Sequence, residues 1–144
     1  MINSWQAPAT PRALAGEIGS YISAARSLTH VKTWMLELRA AGVQSISPSL
    51  VLAEAAGAVS RRTGSPSLGR RALAGLQKLP GLRIVGMSNA LVLEAASLAA
   101  TLGLRGADSI YVAVAKRLRV PLVTLDSEQR ERGRKTLAVQ DLDG

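Results

Sequence analysis

Three acidic residues lie in apolar surroundings, where a carboxylate is costly unless it has a function. Glu54 follows Pro48-Ser-Leu-Val-Leu-Ala, Asp108 follows Leu104-Arg-Gly-Ala, and Asp126 follows Pro121-Leu-Val-Thr-Leu. The chain has only 10 Asp and Glu residues, so these three are a large share of them. A buried, unpaired carboxylate takes up a proton, whereas a divalent cation keeps it ionised. The pattern indicates carboxylates gathered around a hard cation, an arrangement suited to metal-assisted phosphodiester hydrolysis.

Each acid also has an ordinary structural explanation. Glu54 could lie on the polar edge of a helix and pair with a nearby arginine. Asp108 suits the first turn of a helix, where the macrodipole favours an acid. Asp126 suits the N-cap of a short segment over 127–132. These explanations leave open why all three acids fall at predicted strand-to-helix junctions.

The elements that position these acids are predicted from short β-type runs that alternate with helical periods. Strands are predicted over 43–46, 82–85, 121–125 and 135–139, and helices over 27–41, 48–62, 66–79, 88–102 and 107–118. This alternation predicts one α/β domain over 1–144, a three-layer α/β/α fold with a central parallel sheet. Residues 1–16 are expected to form an irregular or extended N-terminal arm. Ligands gather at the carboxyl ends of such strands, so we expect Glu54 and Asp126 to face one edge.

Composition narrows the class of protein. At 144 residues the chain can bury a real core, and its net charge of +8 is typical of proteins with a polyanionic partner. An arginine-rich surface without such a partner is the alternative. Aromatic residues make up only 3%, which disfavours base-stacking platforms, and there is no cysteine. We find no apolar run long enough for a membrane span and no secretory signal, so we expect a cytoplasmic protein.

The three acidic motifs, in this order, resemble the PIN-domain ribonucleases, the superfamily that includes VapC-like toxins of type II toxin–antitoxin systems. The resemblance covers about residues 21–133. It rests on Ser47-Pro-Ser-Leu-Val-Leu-Ala-Glu54, on Leu104-Arg-Gly-Ala-Asp108-Ser-Ile-Tyr111, and on Pro121-Leu-Val-Thr124-Leu-Asp126. It implies a metal-dependent endoribonuclease that uses Mg²⁺ or Mn²⁺, with RNA as substrate, a cognate antitoxin as partner, and a homodimeric assembly.

The family pattern also has an aspartate just after the first strand, and here the sequence departs from it. No aspartate precedes Asp108 anywhere in the chain. Glu17 is the best-spaced counterpart, and Asn3 is a rival that would supply only a neutral oxygen. The resemblance therefore predicts Glu54, Asp108, Asp126 and Glu17 as catalytic residues and metal ligands.

Further residues are predicted to support this site. Thr124 matches a hydroxyl position of the family, although a β-branched strand residue is an equal explanation. Glu128 offers a second acid beside Asp126, but is also explained as a solvated surface residue. The predicted substrate-binding residues are Arg61, Arg62 and Arg105, for each of which an ordinary solvated arginine is the alternative.

Other functions stay open at this level. The missing aspartate also fits a catalytically degenerate PIN-fold protein that binds RNA or a protein partner without cleaving. A metal-dependent phosphatase on a similar sheet ranks lower, because it would need an acid at the end of its first strand. A purely structural basic protein leaves the three embedded acids unexplained.

Overall fold

A five-stranded parallel sheet forms the centre of the fold in the computed structural model, which describes residues 12–14, 36, 39–124 and 126–140. The strand order is β3-β2-β1-β4-β5, and all four pairings are parallel. The strands are β1 (Arg12–Leu14), β2 (Ser45–Pro48), β3 (Leu82–Val85), β4 (Leu122–Val123) and β5 (Val139–Gln140).

Five helices are complete within the described residues: α1 (Leu50–Thr63), α2 (Pro66–Gln77), α3 (Asn89–Leu102), α4 (Gly106–Leu118) and α5 (Ser127–Gly133). Local signals set several of their ends. The Ser65 and Ser88 hydroxyls accept hydrogen bonds from main-chain N–H groups three residues later, at the starts of α2 and α3. Gly103 ends α3 at a φ of 67°, a left-handed conformation that favours glycine.

The predicted three-layer α/β/α fold with a parallel sheet is confirmed. Helix α1 packs against α2, and α3 packs against α4. Among the described residues no single helix has the length and apolarity to cross a membrane. Helices α3 and α4 have sufficient length and apolarity only when they are counted together, and a bend of 111° separates them.

Several strand boundaries differ from the prediction, most clearly those of β2 and β5. Ser47 and Pro48 end β2, whereas the sequence favoured them as the start of a helix; the N-cap of α1 is Ser49. The reason is non-local, because Pro48 pairs in register with Val85 and the Ser49 N–H donates to the Val85 carbonyl. The last strand is also later and shorter than 135–139, since turn hydrogen bonds from α5 extend to residue 137.

The N-terminal region contributes a strand to the sheet. Arg12–Leu14 forms β1, which lies between β2 and β4 at the middle of the sheet, so these three residues of the predicted irregular or extended arm are extended. The segment has few β-branched residues, which explains why propensity alone did not indicate a strand. Pairing with β2 and β4 stabilises this strand, although its local propensity is low.

The middle of helix α4 is completely buried. Every residue from Ser109 to Ala115 is buried, and Val112, Ala113 and Ala115 have no exposed surface. A helix that is buried all round packs against neighbours on every side, so its position is rigidly fixed. The N-terminal turn of α4, which carries Asp108, inherits that fixed position.

Candidate active site

The sheet reverses its winding direction between β1 and β4. The chain passes from β1 to β2 and β3 on one side, then returns across the sheet to β4 and β5 on the other. In open parallel sheets a crevice for ligands forms at such a switch point, outside the carboxyl ends of the strands. Helix α1 leaves β2 at this edge, and Asp126 follows β4 there.

Glu54 lies in the second turn of α1 and is partly buried. Burial raises the pKa of the Glu54 carboxyl, a hydrogen bond from Tyr111 opposes the increase, and the charge of Asp108 adds to it. The Tyr111 hydroxyl donates that bond to Glu54 Oε1 at 2.5 Å. The hydrogen-bond donor to Glu54 that the structure shows is therefore a neutral hydroxyl.

Asp108 is the third residue of α4 and is also partly buried. Burial raises the pKa of its carboxyl most, and the negative charge of Asp126 raises it further. Arg105 opposes these two effects, and Glu128 adds a smaller increase. Asp108 therefore experiences more negative than positive charge, although the N-terminus of a helix favours an acid.

Asp126 is held by two hydrogen bonds, one from its main chain and one to its side chain. Its N–H donates to the Thr124 hydroxyl at 3.0 Å, and its Oδ1 accepts from the Gln129 N–H at 2.7 Å. Asp126 is thus the N-cap of α5, the structural role that the sequence offered as the alternative to catalysis. The N-cap bond uses one oxygen, and a carboxylate has about four acceptor sites in all.

Asp108 is the acid common to both electrostatic interactions: its charge raises the pKa of Glu54, and the charge of Asp126 raises the pKa of Asp108. Within 39–124 and 126–140, however, no three Asp, Glu or His side chains are grouped closely enough to hold a metal ion by themselves. Glu17, the predicted fourth acid, lies outside the described residues, as does its rival Asn3. In the sequence, Glu17 follows Leu14, the last residue of β1, by three positions.

Glu128 lies in a network of charged side chains beside these acids. Its carboxylate accepts from Arg105 Nη2 at 3.3 Å and from Arg132 Nη2 at 2.6 Å. Arg132 also donates to the carbonyl of Gly103, at the end of α3. Glu128 therefore links α5 to the loop before α4, and Arg105 keeps a largely exposed side chain.

The two arginines near the end of α1 differ in direction. Arg61 Nη1 lies 3.0 Å from the position that a side chain on Gly57 would occupy, so the guanidinium folds back along the helix. Gly57 follows Glu54 by three residues, and Arg61 follows Gly57 by four. All three therefore lie on one face of α1. Arg62 is rotated by about 100° from that face. Of the two, Arg61 is on the side of α1 that carries Glu54.

The PIN domain family matches residues 22–135. The match covers most of the chain and includes Glu54, Asp108 and Asp126. The chain belongs to the PIN-domain family. Members of this family are generally nucleases.

Solved structures share the fold at low sequence identity. PAE2754 from Pyrobaculum aerophilum is 18% identical, with a TM-score of 0.65 over 96% of this chain and 93% of that one. VapBC2 from Rickettsia felis, bound to a DNA fragment from its promoter, is 20% identical, with a TM-score of 0.66 over 91% and 98%. A toxin–antitoxin complex from Klebsiella pneumoniae is 18% identical, with a TM-score of 0.58 over 82% and 88%. No curated protein matches the sequence.

Three residues of this PIN domain were not found from the sequence. The Tyr111 hydroxyl donates a hydrogen bond to Glu54. A weaker hydrogen bond with the Ser47 side chain lowers the pKa of Tyr111. Gln129, which is 1% exposed, donates from its side chain to the Asp108 carbonyl at 3.3 Å and from its main chain to Asp126. Only Tyr111 had a usable signal, because it follows Asp108 by three residues and so shares its helix face.

Thr124→Val should lower the free energy of unfolding by about 1 kcal/mol, because the Asp126 N–H then lacks its acceptor. The change keeps the shape of a side chain that is only 1% exposed. Chemical denaturation of the purified protein measures the effect. Thr101→Val, at an exposed position of α3, is the matched control and should change stability by less than about 0.5 kcal/mol. Equal losses in both variants would contradict the assigned bond.

Proposed function

We propose that this PIN domain is a metal-dependent endoribonuclease and the VapC-like toxin of a toxin–antitoxin pair. The observation that carries the proposal is the position of Asp108, whose charge interacts with both Glu54 and Asp126. Ionised acids in such a place repel one another, and burial together with this repulsion raises the pKa of Glu54 and of Asp108. An arrangement that costs stability in this way is expected where a site binds a cation and performs chemistry.

The chemistry of the donors fits Mg²⁺ or Mn²⁺. Glu54, Asp108 and Asp126 offer hard carboxylate oxygens, and we propose Glu17 as the fourth ligand residue. The proposed ligands include neither histidine nor cysteine, the residues that suit zinc, and the chain has no cysteine. When bound, the cation supplies positive charge that offsets the charge developing at phosphorus and on the leaving oxygen.

The chain's own residues then have separate tasks. Asp126 is held in place through Thr124 and the N-terminus of α5. Asp108 directly precedes the buried part of α4, residues 109–115, which limits its movement during the reaction. Glu54, whose pKa is raised, is the best candidate to orient the attacking water and accept a proton from it.

RNA is the proposed substrate because the net charge of +8 favours a polyanion and the acidic site requires a cation-bridged phosphate. Arg61, Arg62 and Arg105 are the proposed contacts to the RNA backbone. All three are exposed, so they remain accessible to phosphates. With RNA as substrate, the protein would act in the cytoplasm.

Arg61→Ala should weaken RNA binding more than Arg62→Ala, since only Arg61 lies on the face of α1 that carries Glu54. We expect the slope of log affinity against log salt to fall by about 0.7 for Arg61→Ala, the loss of one phosphate contact. Fluorescence anisotropy with a labelled single-stranded RNA in EDTA measures both variants without cleavage. Indistinguishable slopes would contradict this assignment of Arg61.

The partner proposal rests on the structural neighbours, two of which are described as VapBC2 and as a toxin–antitoxin complex. We propose that a cognate antitoxin covers the acidic site of this chain and that the toxin is a homodimer. Co-expression with the product of the adjacent reading frame, followed by size-exclusion chromatography with light scattering, tests both statements. Lack of any complex and a monomeric mass would contradict them.

A second candidate is a catalytically degenerate PIN scaffold that binds RNA or protein without cleaving. Two observations favour it: the family's first aspartate is absent, and within the part of the chain that the structure describes no three acids form a metal-binding group. Titration with Mn²⁺ separates the candidates. Binding that is required for RNA cleavage supports the nuclease, whereas no binding at millimolar Mn²⁺ supports the scaffold.

A further inference from the structure

The Tyr111 hydroxyl makes the shortest described contact to any of the three acids. It donates to Glu54 Oε1 at 2.5 Å and joins two helices across 57 positions of sequence. Tyr111 is 1% exposed and lies in the fully buried part of α4. Its ring cannot move without disturbing the core, so the donor is fixed in place.

Glu54, by contrast, has reason to move. Its carboxylate is partly buried and lies near the like charge of Asp108. A flexible side chain in that situation gains by turning toward water, where its charge is better solvated. The bond from Tyr111 opposes that rotation and ties the carboxylate to the helix that also carries Asp108.

The type of donor is also informative. An arginine or lysine at this position would hold Glu54 equally well but would neutralise its charge, and with it the attraction for a cation. A neutral hydroxyl orients the carboxylate and leaves its charge available. The bond also uses only part of the acceptor capacity of the carboxylate. This combination is what a metal ligand requires from its supporting residue.

We propose that Tyr111 is a positioning residue that holds the Glu54 carboxylate beside Asp108 in the orientation that binds the divalent cation. The inference rests on the proposed function. It extends that function by giving one member of α4 a role in the geometry of a ligand carried by α1. Tyr111 does not contact the substrate or the cation itself in this account.

Tyr111→Phe in the full chain removes only the hydroxyl and tests the proposal. Calorimetric titration with Mn²⁺ alone should show affinity about 10–100-fold below wild type, the loss typical of a residue that supports a metal ligand. A cooperative thermal transition should be retained. Saturating Mn²⁺ should restore most of the RNA cleavage, because the defect is in cation binding rather than in folding.

Ser109→Ala is the matched control, since it also removes a buried hydroxyl from α4. The Ser109 hydroxyl donates to the Gly106 carbonyl and not to an acid. Its Mn²⁺ affinity should equal that of wild type. Wild-type affinity in Tyr111→Phe, an equal loss in both variants, or loss of the thermal transition in the Phe variant would assign Tyr111 to the core and overturn the proposal. If wild type itself binds no Mn²⁺, the proposed function fails, and this inference fails with it.

Discussion

Asp108→Asn should abolish metal-dependent RNA cleavage while the protein stays folded. The loss should exceed the roughly 10–100-fold typical of residues that only support a metal ligand, because Asp108 is the acid that interacts with both others. Asp126→Asn should have a similar effect. Cleavage of a fluorogenic RNA by purified variants in Mn²⁺ measures the loss.

The metal-free Asp108→Asn protein should at the same time be more stable than wild type. Because the pKa of Asp108 is raised in the folded state, its ionised form lowers stability at neutral pH. The destabilisation is absent below the pKa of the unfolded chain and reaches its full size above the raised pKa of the folded protein. Because an amide carries no charge, Asp108→Asn removes this destabilisation at pH 7. We expect the melting temperature to rise by on the order of 2 °C.

Glu131→Gln is the control for this pair of results. It changes the net charge by the same amount at an exposed position of α5. Cleavage and melting temperature should both stay close to those of wild type. Full activity in both Asp108→Asn and Asp126→Asn would contradict the catalytic assignment, and a lower melting temperature in metal-free Asp108→Asn would contradict the electrostatic one.

Gly69→Ala should destabilise the protein by about 1–3 kcal/mol, the usual cost of overpacking. Gly69 is the buried residue of α2, and a Cβ there would lie 2.7 Å from the Ala56 carbonyl oxygen and 3.1 Å from Ser60 Cβ. The first neighbour is main chain, so α1 and α2 would have to move apart. Since α1 carries Glu54, the shift should also disturb the site.

Gly75→Ala provides the matched control within the same helix. A Cβ at Gly75 meets no atom within 4 Å. The substitution should therefore stabilise the protein by about 0.4–1 kcal/mol, through the lower entropy of the unfolded chain. Chemical denaturation of the two variants should give changes of opposite sign. A neutral or stabilising Gly69→Ala would contradict the close packing of α1 on α2.

The elements that sequence predicts best have local signals at both ends. Helix α3 begins at the N-cap Ser88 and ends at Gly103, as the sequence indicated. Strand β1 and the end of β2 were harder, because their structure depends on pairing with distant strands. A Ser-Pro pair suits the start of a helix locally, yet pairing with Val85 keeps Ser47 and Pro48 in the sheet.

In the candidate site, too, residues with a local sequence signal were predicted, and contacts between distant residues were not. Glu54, Asp108 and Asp126 were predicted because an acid among apolar residues is visible in one sequence. The bond between Tyr111 and Glu54 was not, since its partners are 57 positions apart. Gln129 gave no signal at all, because a glutamine in a short polar helix is ordinary. The roles of Glu17 and of the four acids together stay predictions.

The decisive experiment is a crystal structure of the full chain soaked with Mn²⁺. We expect an anomalous difference peak at the carboxyl edge of the sheet, within about 2.0–2.3 Å of oxygens from Asp108 and from at least two of Glu54, Asp126 and Glu17. A peak elsewhere, or no peak at saturating Mn²⁺ in crystals whose dissolved protein still cleaves RNA, would contradict it.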